Sequence, residues 1–152
     1  MHRDIKLENI MMTDASDAAR VQIVDFGLAR FISPFQKTNE PFGTVGYCAP
    51  EILLHRQYSV ACDIWSLGCL MYAMISRTLP FVYGENDEDE TTKKTCNGTL
   101  KFDGDEWKFY SNKSITLMTK MLNKDAEERP TIKEILEDPW FFKLRYQESV
   151  RN

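Results

Sequence analysis

The sequence has little that would staple, anchor or recruit it. Its four cysteines, Cys48, Cys62, Cys69 and Cys96, contain no C-x-x-C pair. They are too sparse for a disulfide framework, which points to a reducing, intracellular compartment. The two histidines, His2 and His55, are too isolated for a zinc site. Positive charge is not in excess either: 19 Lys and Arg against 23 Asp and Glu leave a net charge of -4. A general nucleic-acid binder needs a basic face to displace counterions from phosphate, so that class is set aside. The longest apolar stretch is too short and too interrupted for a membrane span. The first residues are charged rather than apolar, so no signal peptide is expected, and the sequons at Asn97-Gly98-Thr99 and Asn112-Lys113-Ser114 read as coincidence.

What is present suffices for one modest folded domain: 152 residues, 43% hydrophobic and 28% charged. Its densest chemistry lies at the front, in His2-Arg3-Asp4-Ile5-Lys6-Leu7-Glu8-Asn9. Then Asp25-Phe26-Gly27 follows an apolar run, Val21 to Val24, that reads as a short buried strand. Taken alone, the octapeptide could be a solvated charged turn. Two motifs in this order and spacing resemble eukaryotic protein kinases.

The resemblance implies phosphoryl transfer, in which the protein works mainly by positioning and electrostatic stabilisation. Asp4 would accept the hydrogen bond of a substrate hydroxyl, Lys6 would steady the transferred phosphoryl, and Asn9 and Asp25 would hold Mg2+ against ATP. Gly27 would let the backbone turn. Lys6 at its position is similar to the serine/threonine branch, whereas Leu7 departs from the proline often found in this loop. Residues 25–51 resemble an activation segment ending in Ala49-Pro50-Glu51. Within it, Gly43-Thr44-Val45-Gly46-Tyr47 matches the substrate-docking stretch, and Thr44 is assigned a hydroxyl bridge to Asp4 and Lys6. Arg3 ordinarily pairs with a phosphate on this segment. Here Glu40 stands where a phosphothreonine commonly sits, with Thr38 nearby, and it is either a built-in anion for Arg3 or an exposed loop glutamate.

The remainder reads as helical. Ser59 is placed as the cap of a helix from Ala61 to Ser76, apolar on nearly every face and therefore destined for the core. The resemblance makes it the central helix of the larger kinase lobe, with Asp63 bracing the backbone of the catalytic loop and Trp65 simply packing. The acidic run Glu85, Asp87, Glu88, Asp89 and Glu90 suits a helix start. Attraction for basic residues near a substrate hydroxyl, helped by Glu8, is the sharper alternative, weakened by Ala73 where a second acid is usual. Ser111 opens a helix with Ile115, Met118, Met121 and Leu122 on one face. Phe102 to Trp107 and Met121 to Asp125 are similar to the calcium/calmodulin-dependent and calcium-dependent group. Arg129 would pair with Glu51 in the interior, and Thr131 with Glu134 forms a capping-box pattern for a helix over 132–137, stopped by Asp138-Pro139-Trp140.

The resulting expectation is a mainly α fold: the larger, C-terminal lobe of a protein kinase, with short β-strands around the catalytic loop. The partial domain spans 1–142, with the catalytic loop at 2–9, the activation segment at 25–51 and the helical remainder at 52–142, followed by a polar tail, 143–152. No glycine-rich loop, V-A-I-K lysine or partner glutamate occurs among these residues. The 152 residues are therefore expected to be inactive alone, lacking a roof for ATP. The implied partners are a protein substrate with a Ser or Thr acceptor and a missing smaller lobe or partner protein. Nucleic acid and membrane are not expected, and the setting is intracellular, most simply cytoplasmic. A kinase-like binding module without turnover and a fragment of a longer kinase are the alternatives.

Overall fold

Sixteen residues with only two β-branched members, Ile64 and Ile75, favour an unbroken helix. In the computed structural model α2 runs Ala61–Ser76, the span the sequence predicts. The structure describes residues 1–33, 35–82 and 87–141. Glu85 of the acidic run, Phe142 and the tail 143–152 lie outside the described residues. Val60 rather than Ser59 is the half-helical residue before α2. The Ser59 hydroxyl still accepts from the Ala61 N–H at 3.4 Å. The helix ends at Arg77, a left-handed residue whose N–H reaches the Ala73 carbonyl at 2.8 Å.

α2 carries two clusters on different sides. Cys62, Trp65, Cys69 and Tyr72 pack with Tyr58, Phe81, Trp107, Met118 and Leu122, whereas Ile64 packs with Leu117, Met121 and Ile135. The composition predicts burial on nearly every face, but Met74 is 70% exposed. Leu67, Met71 and Ile75 are only partly buried and line an open apolar groove of about 360 Å³. No described element lies across that groove, so the apolar composition is not matched by cover. Gly68 lets α2 meet the next long helix closely, since a Cβ there would stand 2.9 Å from a Leu122 methine carbon.

That neighbour, α4, spans Asn112–Met121, with Ser111 as its cap accepting from the Ser114 N–H. Before it, α1 is Pro50–Leu53 with proline in the first turn. α3 is Glu88–Asn97, where Asp87 accepts from the Glu90 N–H at 2.9 Å. Acids over the first turn there meet the exposed amides, so helix capping accounts for the described part of the acidic run. α5 spans Ile132–Leu136 with Glu137 as its cap, and the Thr131–Glu134 capping box is complete. Asp138 then accepts from the Trp140 N–H at 2.9 Å and redirects the chain.

The two strands β1, Ile10–Met12, and β2, Val21–Ile23, pair antiparallel with Ile10 opposite Ile23. β2 is a strand as predicted but not a buried one, with Val21 62% exposed. A two-stranded ribbon leaves faces open unless another element covers them, and among the described residues none covers this one.

Candidate active site

The loop of residues 2–9 is held from beneath by α2. Asp63, in its first turn, accepts from the His2 N–H at 2.7 Å and from the Arg3 N–H at 2.8 Å, one amide on each carboxylate oxygen. Arg3 adopts a left-handed φ of 73° between them. Two charge-assisted bonds keep a conformation that an arginine avoids by itself. His2 adds a tie that its sequence context does not advertise. Its Nδ1 accepts from the Asp4 N–H at 3.3 Å and its Nε2 lies 3.1 Å from the Val24 carbonyl. That pair of contacts requires the tautomer with the proton on Nε2.

Asp4, so oriented, is 9% exposed and surrounded by donors. Thr44 donates its hydroxyl to Oδ1 at 2.6 Å. Lys6 Nζ stands 2.8 Å from Oδ2, and the Asn9 amide donates to the same oxygen at 3.2 Å and to the Asp4 carbonyl at 2.9 Å. Lys6 also donates to the Thr44 hydroxyl at 2.9 Å. Burial works against the Asp4 charge, yet the bonds from Lys6, Thr44 and Asn9 outweigh it and hold its pKa below the ordinary value. Lys6 is raised in turn, chiefly by its bond to Asp4. The carboxylate is therefore ionised near neutral pH, an acceptor held in place.

The hairpin brings the second acid to the same end. Asn9 precedes β1, and the Val24 N–H that follows β2 donates to the Asn9 carbonyl at 3.0 Å. Asp25 comes next, exposed, with a φ of 60°. The left-handed residue of this turn is Asp25 itself; Gly27, to which the sequence assigns the turn, has no positive φ. Its missing Cβ matters differently, because a methyl there would stand 3.1 Å from Asp25 Oδ1, which accepts from the Gly27 N–H at 3.2 Å. The structure thus joins Asp4, Lys6, Thr44 and Asn9 by hydrogen bonds. Asp25 is bonded to none of them but raises the Lys6 pKa through space.

The donor set suits a hard cation. Asn9 spends its amide N–H groups on Asp4, so its carbonyl oxygen remains an acceptor, and Asp25 supplies a carboxylate from across the hairpin end. Oxygen ligands of this kind, few in number, match Mg2+, which keeps waters and phosphate oxygens for the rest of its shell. Among the described residues no three acidic, imidazole or thiol groups are placed to hold a metal ion.

Glu40 is paired, not a free loop acid. Its Oε2 lies 2.5 Å from Arg3 NH1 and 3.0 Å from Arg30 NH1. Arg30 had no signature in the sequence beyond its charge. The bond from Arg3 lowers the Glu40 pKa most, burial opposes it next, and Arg30 adds to the lowering. A carboxylate lowered on folding stabilises above its unfolded value and loses that contribution as pH falls through the folded one. The stretch around Glu40 is therefore expected to loosen only in acid below the ordinary glutamate range. Carboxyl-carbon NMR of Glu40 checks this, and titration at or above the ordinary value would contradict the pairing.

A helical lobe with a short hairpin, presenting this carboxylate, lysine and threonine beside an oxygen-donor pair, is the class of structure found in the larger lobe of kinases. The chain belongs to the protein kinase family, the profile described as "Protein kinase domain" matching residues 1–141. It is 36% identical over 140 residues to Calcium-dependent protein kinase 22 of Oryza sativa subsp. japonica, covering 92% of this chain and 24% of that protein. It is 35% identical over 150 residues to Serine/threonine-protein kinase 17A of Oryctolagus cuniculus, covering 99% of this chain and 37% of that protein. CDPK-related kinase 5 of Arabidopsis thaliana matches at 33% over 140 residues, 92% of this chain and 23% of that protein. The chain thus spans well under half the length of these relatives.

Proposed function

We propose that these residues form the larger-lobe part of a serine/threonine protein kinase that uses ATP and Mg2+ and acts on protein hydroxyls. The observation that carries this is the closed set of bonds among Asp4, Lys6 and Thr44. Asp4, ionised and fixed, accepts the hydrogen bond of an incoming Ser or Thr hydroxyl and aims its oxygen. Lys6 places a positive charge beside that oxygen, where a transferring phosphoryl gathers negative charge. Thr44 ties the substrate-docking stretch to both, so that docking and aiming share one anchor. Asn9 and Asp25 hold the metal. When bound, Mg2+ supplies neutralisation of the nucleotide phosphates.

The relatives' names support the serine/threonine type and a calcium-dependent kind of control in the whole protein. No described helix is long and apolar enough to cross a membrane. All four cysteines are free thiols, which supports an intracellular, cytoplasmic setting. Nucleic acid is not a proposed partner. A protein substrate and a nucleotide-covering lobe are.

The function is tested with residues 1–152 joined behind the nucleotide-covering lobe of a matched calcium-dependent kinase. Transfer from Mg-ATP to Ser or Thr of a protein substrate is expected; its absence in a folded, ATP-binding product favours a binding module without turnover. The metal position is tested separately with Mn2+ in the Mg2+ position. Paramagnetic broadening is expected first at the amides of residues 9 and 25, and Asp25→Ala is expected to abolish it.

A further inference from the structure

The Arg3–Glu40 pair explains what holds the Glu40 carboxylate, but not what brings residue 40 to the arginines. Tyr58 supplies that. It lies in the linker between α1 and α2, is 2% exposed, and touches the activation segment at two places. Its N–H donates to the Thr38 carbonyl at 2.8 Å, and the Thr38 N–H donates to its carbonyl at 3.0 Å, a single antiparallel bridge. Its phenol then donates to the Glu40 carbonyl at 2.7 Å. The backbone on both sides of residue 39 is thereby fixed to the base of α2, the helix whose Asp63 fixes the catalytic loop. The ring packs in the main core with Cys62 and Trp65, so the anchor is itself immobile.

We propose that Tyr58 is a positioning residue: its buried hydroxyl sets residue 40 so that a side-chain carboxylate, rather than an added phosphate, reaches Arg3 and Arg30. The segment is then ordered by two devices, the half-exposed ion pair of Glu40 and the buried Tyr58 hydroxyl, which meet at Arg3 because its guanidinium also bonds that hydroxyl. Thr44 lies four residues beyond Glu40, so slack at residue 40 passes to the hydroxyl that bridges Asp4 and Lys6. This consequence for Thr44 rests on reading that trio as the phosphoryl-transfer centre; the anchoring does not.

Amide hydrogen exchange on the full 152-residue chain tests it, comparing Tyr58→Phe with Glu40→Gln. Tyr58→Phe keeps the ring and removes the hydroxyl, with both its bond to the Glu40 carbonyl and its bond with the Arg3 guanidinium. It is expected to speed exchange at residues 38–44 by about three- to tenfold, the worth of one buried hydrogen bond, and to leave α4 and α5 unchanged. The effect is expected to persist at 0.5 M salt, on the order of the concentration at which surface ion pairs are screened. The effect of Glu40→Gln is expected to shrink there. The Glu40 titration is expected to move up toward its ordinary value in Tyr58→Phe as its carboxylate leaves Arg3 and Arg30. Packing alone would not move it. Unchanged exchange and titration, or acceleration spread equally over α4 and α5, overturns the proposal. Should Tyr58→Phe fail to fold, 4-fluorophenylalanine at position 58 fills the space without a donor, and the same two readings decide. None of these readings involves nucleotide, so they can succeed where the kinase reading fails, and the reverse.

Discussion

Replacing Glu51 with Ala is expected to destabilise the fold by about 3 to 5 kcal/mol, the usual cost of removing one partner from a buried ion pair. The geometry puts this case at the upper end. Arg129 meets Glu51 with two parallel bonds of 2.7 Å, and its side chain has no exposed surface. Two further donors go to the Asn123 carbonyl at 2.8 Å and the Ala61 carbonyl at 2.9 Å, and its guanidinium lies 5.0 Å from the Trp65 ring centre. One arginine therefore joins α1, the start of α2 and the turn before α5. Without Glu51 its charge stays in the interior beside two carbonyls and no counter-ion. Against a typical domain stability of about 5 to 15 kcal/mol, such a loss leaves a large unfolded fraction. Urea unfolding of Glu51→Ala and Glu51→Gln measures it, the glutamine retaining one acceptor and losing less. A shift under about 1 kcal/mol for the alanine variant would falsify the claim that this pair holds the lobe together.

The same pair shows what a sequence reveals. Glu51 and Arg129 are 78 positions apart, and no periodicity or local propensity links them; only the family pattern does. α2 is different, because an apolar composition and few β-branched residues specify the helix by themselves. The helix starts at Ser111 and Thr131 are local too, each marked by a side chain that satisfies an amide three positions on, whereas Asp87 is legible only as part of an acidic run. What could not be read is burial. Val21 and Ile23 are apolar, yet whether they are covered depends on what lies above the hairpin, which their own sequence does not state. Arg30 and Tyr58 are illegible for a related reason: each acts through a partner distant in sequence, and a single arginine or tyrosine has no spacing to mark it. His2 lies within the marked octapeptide, but its tie to the Val24 carbonyl does not show there. The left-handed residue of the turn is Asp25 and not Gly27, where glycine is the usual choice; a Cβ on Gly27 would make a tight contact, 3.1 Å, with the Asp25 carboxylate.

Asp4→Asn, in the same joined polypeptide, is expected to lower kcat by about 10² to 10⁴, the range for a positioned acid–base group, with a smaller effect on KM for the protein substrate. The amide is nearly the same size, so the effect must come from charge and from donor placement. In the native site Oδ1 receives the Thr44 hydroxyl while Oδ2 receives both Lys6 and Asn9. Asparagine keeps one oxygen. If that oxygen faces Lys6 and Asn9, its new N–H2 points at Thr44, whose hydroxyl must turn to accept instead of donate, and a charge-assisted bond becomes a weaker neutral one. If it faces Thr44, the N–H2 meets two other donors. Either orientation also removes the negative charge that holds Lys6 in place, so the hydroxyl acceptor and the phosphoryl cation are lost together. Thr44→Ala removes only one of these ties and is expected to cost less, with Asp4 and Lys6 still paired. Retention of more than about a tenth of the native kcat by Asp4→Asn would mean that the substrate hydroxyl is aimed by some other group, since a tenfold change is only about 1.4 kcal/mol of barrier.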